Sequence, residues 1–188
     1  MMTNGPFRKL SETRLFRDDF LGLREDVLAA EDGREIRRKV IEYRRAAAVV
    51  PVTVDMRVLL VRHFRYPVGT FLWDIPGGMI EPSESPADCA LRELLEETGY
   101  NAQRAEHLID FYPEPAFADH AISIFRTVVL PAPSAIRSKD PEVDRVEFYD
   151  LTDAPRLIHD GMVRSSWTVI GLLTALASPR KAESEIRA

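Results

Sequence analysis

The sequence predicts an α+β protein built as an α/β/α sandwich, with a mixed central sheet and an antiparallel strand extension at its N-terminus. Three observations predict it. Alternating or β-branched apolar runs recur through the first 75 residues and again over 106–149. One strongly patterned helix interrupts them at 86–98, and two further helical stretches follow the last strand run.

Residues 1–18 are basic and polar with scattered apolar positions, which predicts a loose or edge-forming start. Alternation over 20–30 and 36–43, with Asp32-Gly33 between, predicts a hairpin. Residues 46–54 form a β-branched run, and a turn at Asp55-Met56 leads to 58–61, predicting a second hairpin. Residues 71–75 read as a short strand entering Pro76-Gly77-Gly78, and 78–84 as a loop. Ser85 then suits an N-cap, Pro86 the first helical position, Asp88 a capping box and Gly99 the C-terminal stop. Ala87, Ala90, Leu91, Leu94 and Leu95 recur at helical spacing as an apolar face. Cys89, Glu93, Glu96 and Glu97 fall on the other side, expected to face outwards. Strands are expected over 106–112, 121–130 and 143–149. Helices are expected over 154–160, capped by Thr152 or Asp153, and over 167–177, stopped near Pro179. There are no internal repeats. The expected organisation is a strand extension at 1–45, a principal domain at 46–180 and a frayed tail at 181–188.

Composition narrows the function. A net charge of -5 argues against a general nucleic-acid binder, which would carry a basic stripe. No apolar run approaches a membrane span, and the first residues lack a secretory pattern, so the cytoplasm is the expected location. Cys89 is the only cysteine, so no intrachain disulfide forms. Neighbouring carboxylates would raise its thiol pKa, which predicts a passive residue.

The most informative segment runs from Gly78 to Tyr100. Glu84 follows Gly78 after five residues, and seven more lead to Arg92-Glu93-Leu94, then Glu96-Glu97, Gly99 and apolar Tyr100. At ordinary residue frequencies such a pattern arises by chance on the order of 10⁻⁹ to 10⁻⁸ per starting position. Glu93 and Glu97 stand one turn apart, and like charges at that spacing destabilise a helix by a few tenths of a kcal/mol. Arg92 offsets part of that repulsion, and a hard divalent cation would offset far more. Either the run is a solvated acidic face or it binds metal; the glycines and Glu84 favour metal.

This segment resembles the signature of the Nudix hydrolases, which cleave diphosphate linkages of nucleoside diphosphates joined to another group. The resemblance implies Mg²⁺, with Mn²⁺ as the alternative. It places Gly77 (through its carbonyl), Glu93, Glu96 and Glu97 at the metal, Arg92 as the residue that orients the carboxylates, and Glu84 as either its partner or an outer ligand. Upstream, VRHFRYPVGTFLWDIPGG is similar to the stretch before the signature in the ADP-ribose pyrophosphatase subgroup. There Arg62 and Arg65 stand at two arginines suited to diphosphate recognition, while His63, Asp74 and Gly77 replace glutamine, glutamate and alanine. On a strand the two arginines point to opposite faces, which favours one of them, Arg65. Downstream, FYPEPAFADH is similar to the subgroup's substrate loop, with Pro115 sixteen residues beyond Gly99. Phe111, Tyr112 and Phe117 either stack on a base or pack, and His120 either bonds a phosphate or is idle. SKDPEVDRVEFYDL, residues 138–151, resembles the segment with the subgroup's catalytic glutamate. That alignment makes Glu142 the general base, with Glu96 or Glu97 as competitors.

The resemblance implies hydrolysis of ADP-ribose to AMP and ribose 5-phosphate. Alternatives are GDP-mannose, another nucleotide sugar or a dinucleotide, an oxidised nucleotide, or a non-catalytic nucleotide sensor on the same fold. It also implies a homodimer built through the extension. The reading includes no nucleic-acid or membrane partner.

Overall fold

The computed structural model describes residues 5–130 and 141–178. The helix stop at Pro179 and the tail at 181–188 fall outside them. The described chain divides into two compact units.

One unit joins the N-terminal strands to residues 112–121. Strands β1 (Phe7–Arg17), β2 (Leu21–Ala30) and β3 (Glu35–Tyr43) form an antiparallel sheet in that order. The β2–β3 hairpin turns through Gly33, whose φ of 83° is left-handed and favours glycine. β1 is the edge foreseen at the start of the chain, but as a full eleven-residue strand. Its alternation is hidden because charged and polar residues outnumber apolar ones on both faces, a common way to blunt an exposed edge. Two register irregularities interrupt its pairing, at Lys9/Ser11 and Arg14/Phe16. On the opposite edge, residues 112–121 run alongside β3. Ile41 N donates to the Phe117 carbonyl at 2.8 Å, and Ile41 bridges Ala118 in parallel. Arg24 reinforces this contact, since its Nη1 reaches Glu42 at 2.6 Å and Asp119 at 3.4 Å.

The other unit holds β4 (Ala46–Val52), β5 (Arg57–Arg65), β6 (Thr70–Asp74), β7 (Gly77–Met79), α1 (Pro86–Thr98), β8 (Glu106–Phe111), β9 (Ile122–Val128), β10 (Val143–Asp150), α2 (Ala154–His159) and α3 (Ser166–Ala177). The sheet runs β10-β5-β4-β9-β8, with β6 on β5 and β7 on β4. β4 lies parallel to β9 over seven residue pairs; the other pairings are antiparallel, so the sheet is mixed. Every residue of β4 is buried. Ala46, Ala48, Val50 and Val52 face a core shared with Leu157, Leu172 and Ala175 of α2 and α3. Ala47 and Val49 face a second core with Cys89, Ala90 and Leu94 of α1. A strand apolar on both faces with helices against each is the expected sandwich. Each fully buried Val or Leu contributes about 1.5–3 kcal/mol. Helix α3 approaches closely at Gly171, where a Cβ would stand 2.9 Å from Ile75 Cδ1.

Two expectations change. The second hairpin closes only at Val52↔Val58. Beyond that pair β4 takes β7 and β9 as partners, while β5 takes β6 and β10. The stretch after Pro76, expected to be loop, begins as strand β7. Gly77 explains it: a Cβ there would meet Ala48 Cβ at 2.5 Å and the Ala47 carbonyl at 2.8 Å, so a residue without a side chain lets this backbone lie against β4.

Candidate active site

Helix α1 is built by local signals. The Ser85 side chain accepts from Asp88 N at 3.1 Å, and Ser85 Oγ donates to Asp88 Oδ2 at 2.6 Å. Gly99 ends the helix at φ 72°, its N–H bonding the Leu95 carbonyl. The buried arc differs from the expected one. Cys89, Ala90, Leu94, Glu97 and Thr98 are buried, whereas Leu95 is 47 % exposed. Glu93 and Glu97 therefore face inwards with Cys89 rather than outwards with Glu96. Glu97 is only 5 % exposed, and the Glu96 side chain 53 %. The reason is β7, because the helix packs on it and Gly78 offers no side chain. A Cβ at Gly78 would overlap the Glu93 carboxylate.

Arg92 is the hub. Its Nε and Nη2 bond the two oxygens of Glu84 at 2.8 and 3.1 Å, and its Nη1 bonds Glu93 at 2.8 Å and Glu96 at 3.1 Å. Nη2 also donates to the Met79 carbonyl at 3.2 Å, tying the helix to β7. Of the two roles considered for Glu84, partner of Arg92 is the one the geometry displays. Bonding to Arg92 pulls the Glu84 pKa down to about 2. Glu93 moves the other way, because burial raises its pKa more than Arg92 lowers it. A carboxylate held charged against that desolvation gains from an added positive charge.

The donor chemistry fits a hard divalent cation, since Glu93 and Glu97 stand one turn apart on the inward arc and both carry hard carboxylate oxygens. The three glutamates do not form a closed cage. Among the described residues no three His, Cys, Asp or Glu side chains are grouped to hold a metal by themselves. Mg²⁺ usually takes one or two carboxylates and completes its shell with water and substrate phosphate.

The other expected residues have partners of their own. Arg65 gives Nε and Nη2 to Asp74 Oδ2 at 2.9 and 2.6 Å, while its side chain remains 38 % exposed. Asp74 is buried and also accepts from Thr168 Oγ1 at 3.1 Å, linking β5, β6 and α3. The sequence carries no signal of this network beyond the departure of Asp74 from the family pattern. Arg62 lies over the Phe71 ring at 4.6 Å and pairs with Asp144 at 3.3 Å. Phe111 packs in the core beside α3. Pro115 and Phe117 belong to the segment along β3, where Phe117 is exposed and bonded through its backbone. His120 Nδ1 meets the Arg44 carbonyl at 2.8 Å. Glu142 stands at the start of β10, its Oε2 3.4 Å from His63 Nε2 on β5. Residues 138–140 of that stretch lie outside the described residues.

A family model described as the NUDIX domain matches residues 42–166. The chain belongs to the Nudix hydrolases. It is 28% identical over 170 residues to an ADP-ribose pyrophosphatase of Bacillus subtilis, covering 88% of this chain and 90% of the relative. It is 30% identical over 167 residues to a methanol dehydrogenase activator of Bacillus methanolicus, covering 88% and 90%. A solved structure described as an ADP compounds hydrolase superposes with a TM-score of 0.80 at 20% identity, covering 94% of this chain and 95% of that one, and shows the shared fold. The protein is thus a Nudix pyrophosphohydrolase of the ADP-ribose pyrophosphatase-like kind. Nudix substrates are nucleoside diphosphate derivatives, and the family generally uses a divalent metal. Among the described residues no helix is long and apolar enough to cross a membrane.

Cys89 of this Nudix hydrolase is buried, and burial pushes its thiol pKa up to about 12. Iodoacetamide at pH 8 is therefore expected to leave the folded protein unlabelled and to modify Cys89 fully after denaturation. Rapid labelling of the native protein, read by intact mass, would contradict this placement.

Proposed function

We propose that this Nudix hydrolase cleaves the diphosphate of an ADP-sugar, ADP-ribose first among them, to AMP and ribose 5-phosphate. The observation that carries the reading is the inward pair Glu93 and Glu97, with Glu93 seated over the bare backbone of Gly78. The ADP-ribose pyrophosphatase relative, matched over most of both chains, supports the choice of substrate.

Glu93 and Glu97, with the Gly77 carbonyl, would hold the divalent cation, with Glu96 nearby on the more exposed side of the helix. When bound, that ion polarises the phosphoryl group, offsets its charge and makes water more acidic. The chain's own residues do the rest. Arg92 fixes the rotamers of Glu93 and Glu96 while Glu84 fixes Arg92. Asp74 grips one edge of the Arg65 guanidinium, so the remaining N–H groups keep a set direction for phosphate oxygens. Arg62, already paired with Asp144, is the lesser candidate. Glu142 accepts the proton of the attacking water.

The test is a panel of ADP-ribose, GDP-mannose, other nucleotide sugars, a dinucleoside polyphosphate and an oxidised nucleotide, with magnesium and product identification. The highest kcat/KM is expected for ADP-ribose, giving AMP. A clear preference for a guanine or oxidised nucleotide would overturn the substrate, and no metal-dependent hydrolysis at all would favour a sensor. Glu142→Gln is expected to lower kcat about 10²-fold, with magnesium still raising the melting temperature. The extension at 1–45 is read as dimerising, since edge strand β1 exposes Leu10, Leu15 and Phe16. Light scattering is expected to give twice the chain mass, and a monomer after Leu15→Glu with Phe16→Glu.

A further inference from the structure

We propose that His63 is a positioning residue that holds the Glu142 carboxylate in its proton-accepting orientation; this rests on Glu142 being the base. The geometry lies where β10 meets β5. Val143 pairs with His63 and Arg145 with Arg62, so the register slips by one residue between them. Such a bulge re-aims the side chains around it. Asp144 is the extra residue at the slip and Glu142 precedes it, and each of these two acids stands against a base of β5. Glu142 Oε2 is 3.4 Å from His63 Nε2, and Asp144 Oδ2 is 3.3 Å from Arg62 Nη2. The Glu142 backbone is clamped too, its carbonyl accepting from Phe64 N at 2.8 Å.

The two partners differ in freedom. His63 is 4 % exposed on a strand paired on both sides. The Glu142 side chain is 54 % exposed at the tip of an edge strand. A rigid, buried ring therefore stands beneath a flexible, solvated carboxylate. A proton carried on Nε2 would lie between that nitrogen and Oε2 and limit the torsions open to Glu142. An oriented base reacts faster than one that must find its geometry in each encounter. Arg62 does not substitute, because Phe71 and Asp144 already engage its guanidinium.

The experiment is kinetics of His63→Leu, His63→Gln, Glu142→Gln and the double variant with magnesium and ADP-ribose, each checked for a native melting transition. His63→Leu is expected to lower kcat about tenfold with KM unchanged. His63→Gln keeps an N–H donor at similar reach and is expected to stay within about twofold of the parent. In the Glu142→Gln background, His63→Leu should cause no further loss, because the group it positions can no longer accept the proton. His63→Phe keeps a ring without the donor, replaces the leucine variant should that fail to fold, and should lose the same factor. An unchanged kcat in His63→Leu, a glutamine variant as slow as the leucine one, or an equal loss in the Glu142→Gln background would each overturn the role of His63. Normal turnover by Glu142→Gln alone would instead remove the base, a separately visible failure.

Discussion

Glu97→Gln is expected to lower kcat by about 10²–10³-fold at saturating magnesium, while the protein still folds. The change keeps volume and removes only the charge. Glu97 is buried on the inward arc of α1, one turn beyond Glu93. A hard cation at that arc draws on charged carboxylate oxygen, and a neutral amide is a far poorer donor. Metal stabilisation of a phosphoryl-transfer transition state is worth several kcal/mol, and each 1.36 kcal/mol is tenfold in rate. Two measurements check it. Steady-state kinetics should show the loss in kcat, and magnesium should raise the melting temperature of the parent but not of the variant. Glu96→Gln supplies the contrast: its side chain faces solvent and is tied to Arg92, so its loss should be at least an order of magnitude smaller. Near-parental turnover by Glu97→Gln would remove this residue from the metal site.

Arg92→Met should be the most destabilising change at the site, costing about 2–4 kcal/mol in urea unfolding. It strands Glu84 and Glu93, each largely shielded, and releases Glu96 and the Met79 carbonyl. Arg92→Lys should restore little, because a point charge cannot replace a fork that bonds both oxygens of Glu84. Adding Glu84→Gln to Arg92→Met should recover part of the loss by removing the stranded charge. The pH dependence carries the same signature. Glu84 has its folded pKa depressed from 4.5 to about 2, so its contribution is complete above about pH 4.5 and is lost as pH falls towards 2. Glu93 has the opposite sign: its raised pKa makes the folded state favour the protonated form, so its contribution is complete below about pH 4.5 and weakens as pH rises above that value. Arg92→Met should flatten the acid loss between about pH 4.5 and 2. A parental slope in that window would mean that Glu84 is not held by Arg92 in solution.

Much of the fold is legible in the chain. The β2–β3 hairpin follows from alternation around Asp32-Gly33, and the buried strand β4 follows from its β-branched run. The second hairpin misleads because adjacency in sequence favours local pairing, whereas β4 sits at the centre of the sheet and takes partners from far along the chain. β7 is hidden for a related reason. Two glycines after a proline signal a loop, and only the presence of β4 against Gly77 and of Glu93 against Gly78 makes their missing side chains an advantage.

The site divides in the same way. The amino-acid order by itself determines helix α1 from Pro86 to Thr98, its caps at Ser85 and Gly99, and the signature that marks a Nudix hydrolase. These rest on backbone hydrogen bonding and spacing within a few residues. Only the tertiary structure decides that Glu93 and Glu97 turn inwards while Leu95 turns out, that Glu84 is committed to Arg92, that Asp74 grips Arg65, and that His63 lies under Glu142. Helical periodicity defines arcs but not which arc is covered. That depends on the neighbour, and here the neighbour is a glycine strand with room for carboxylates.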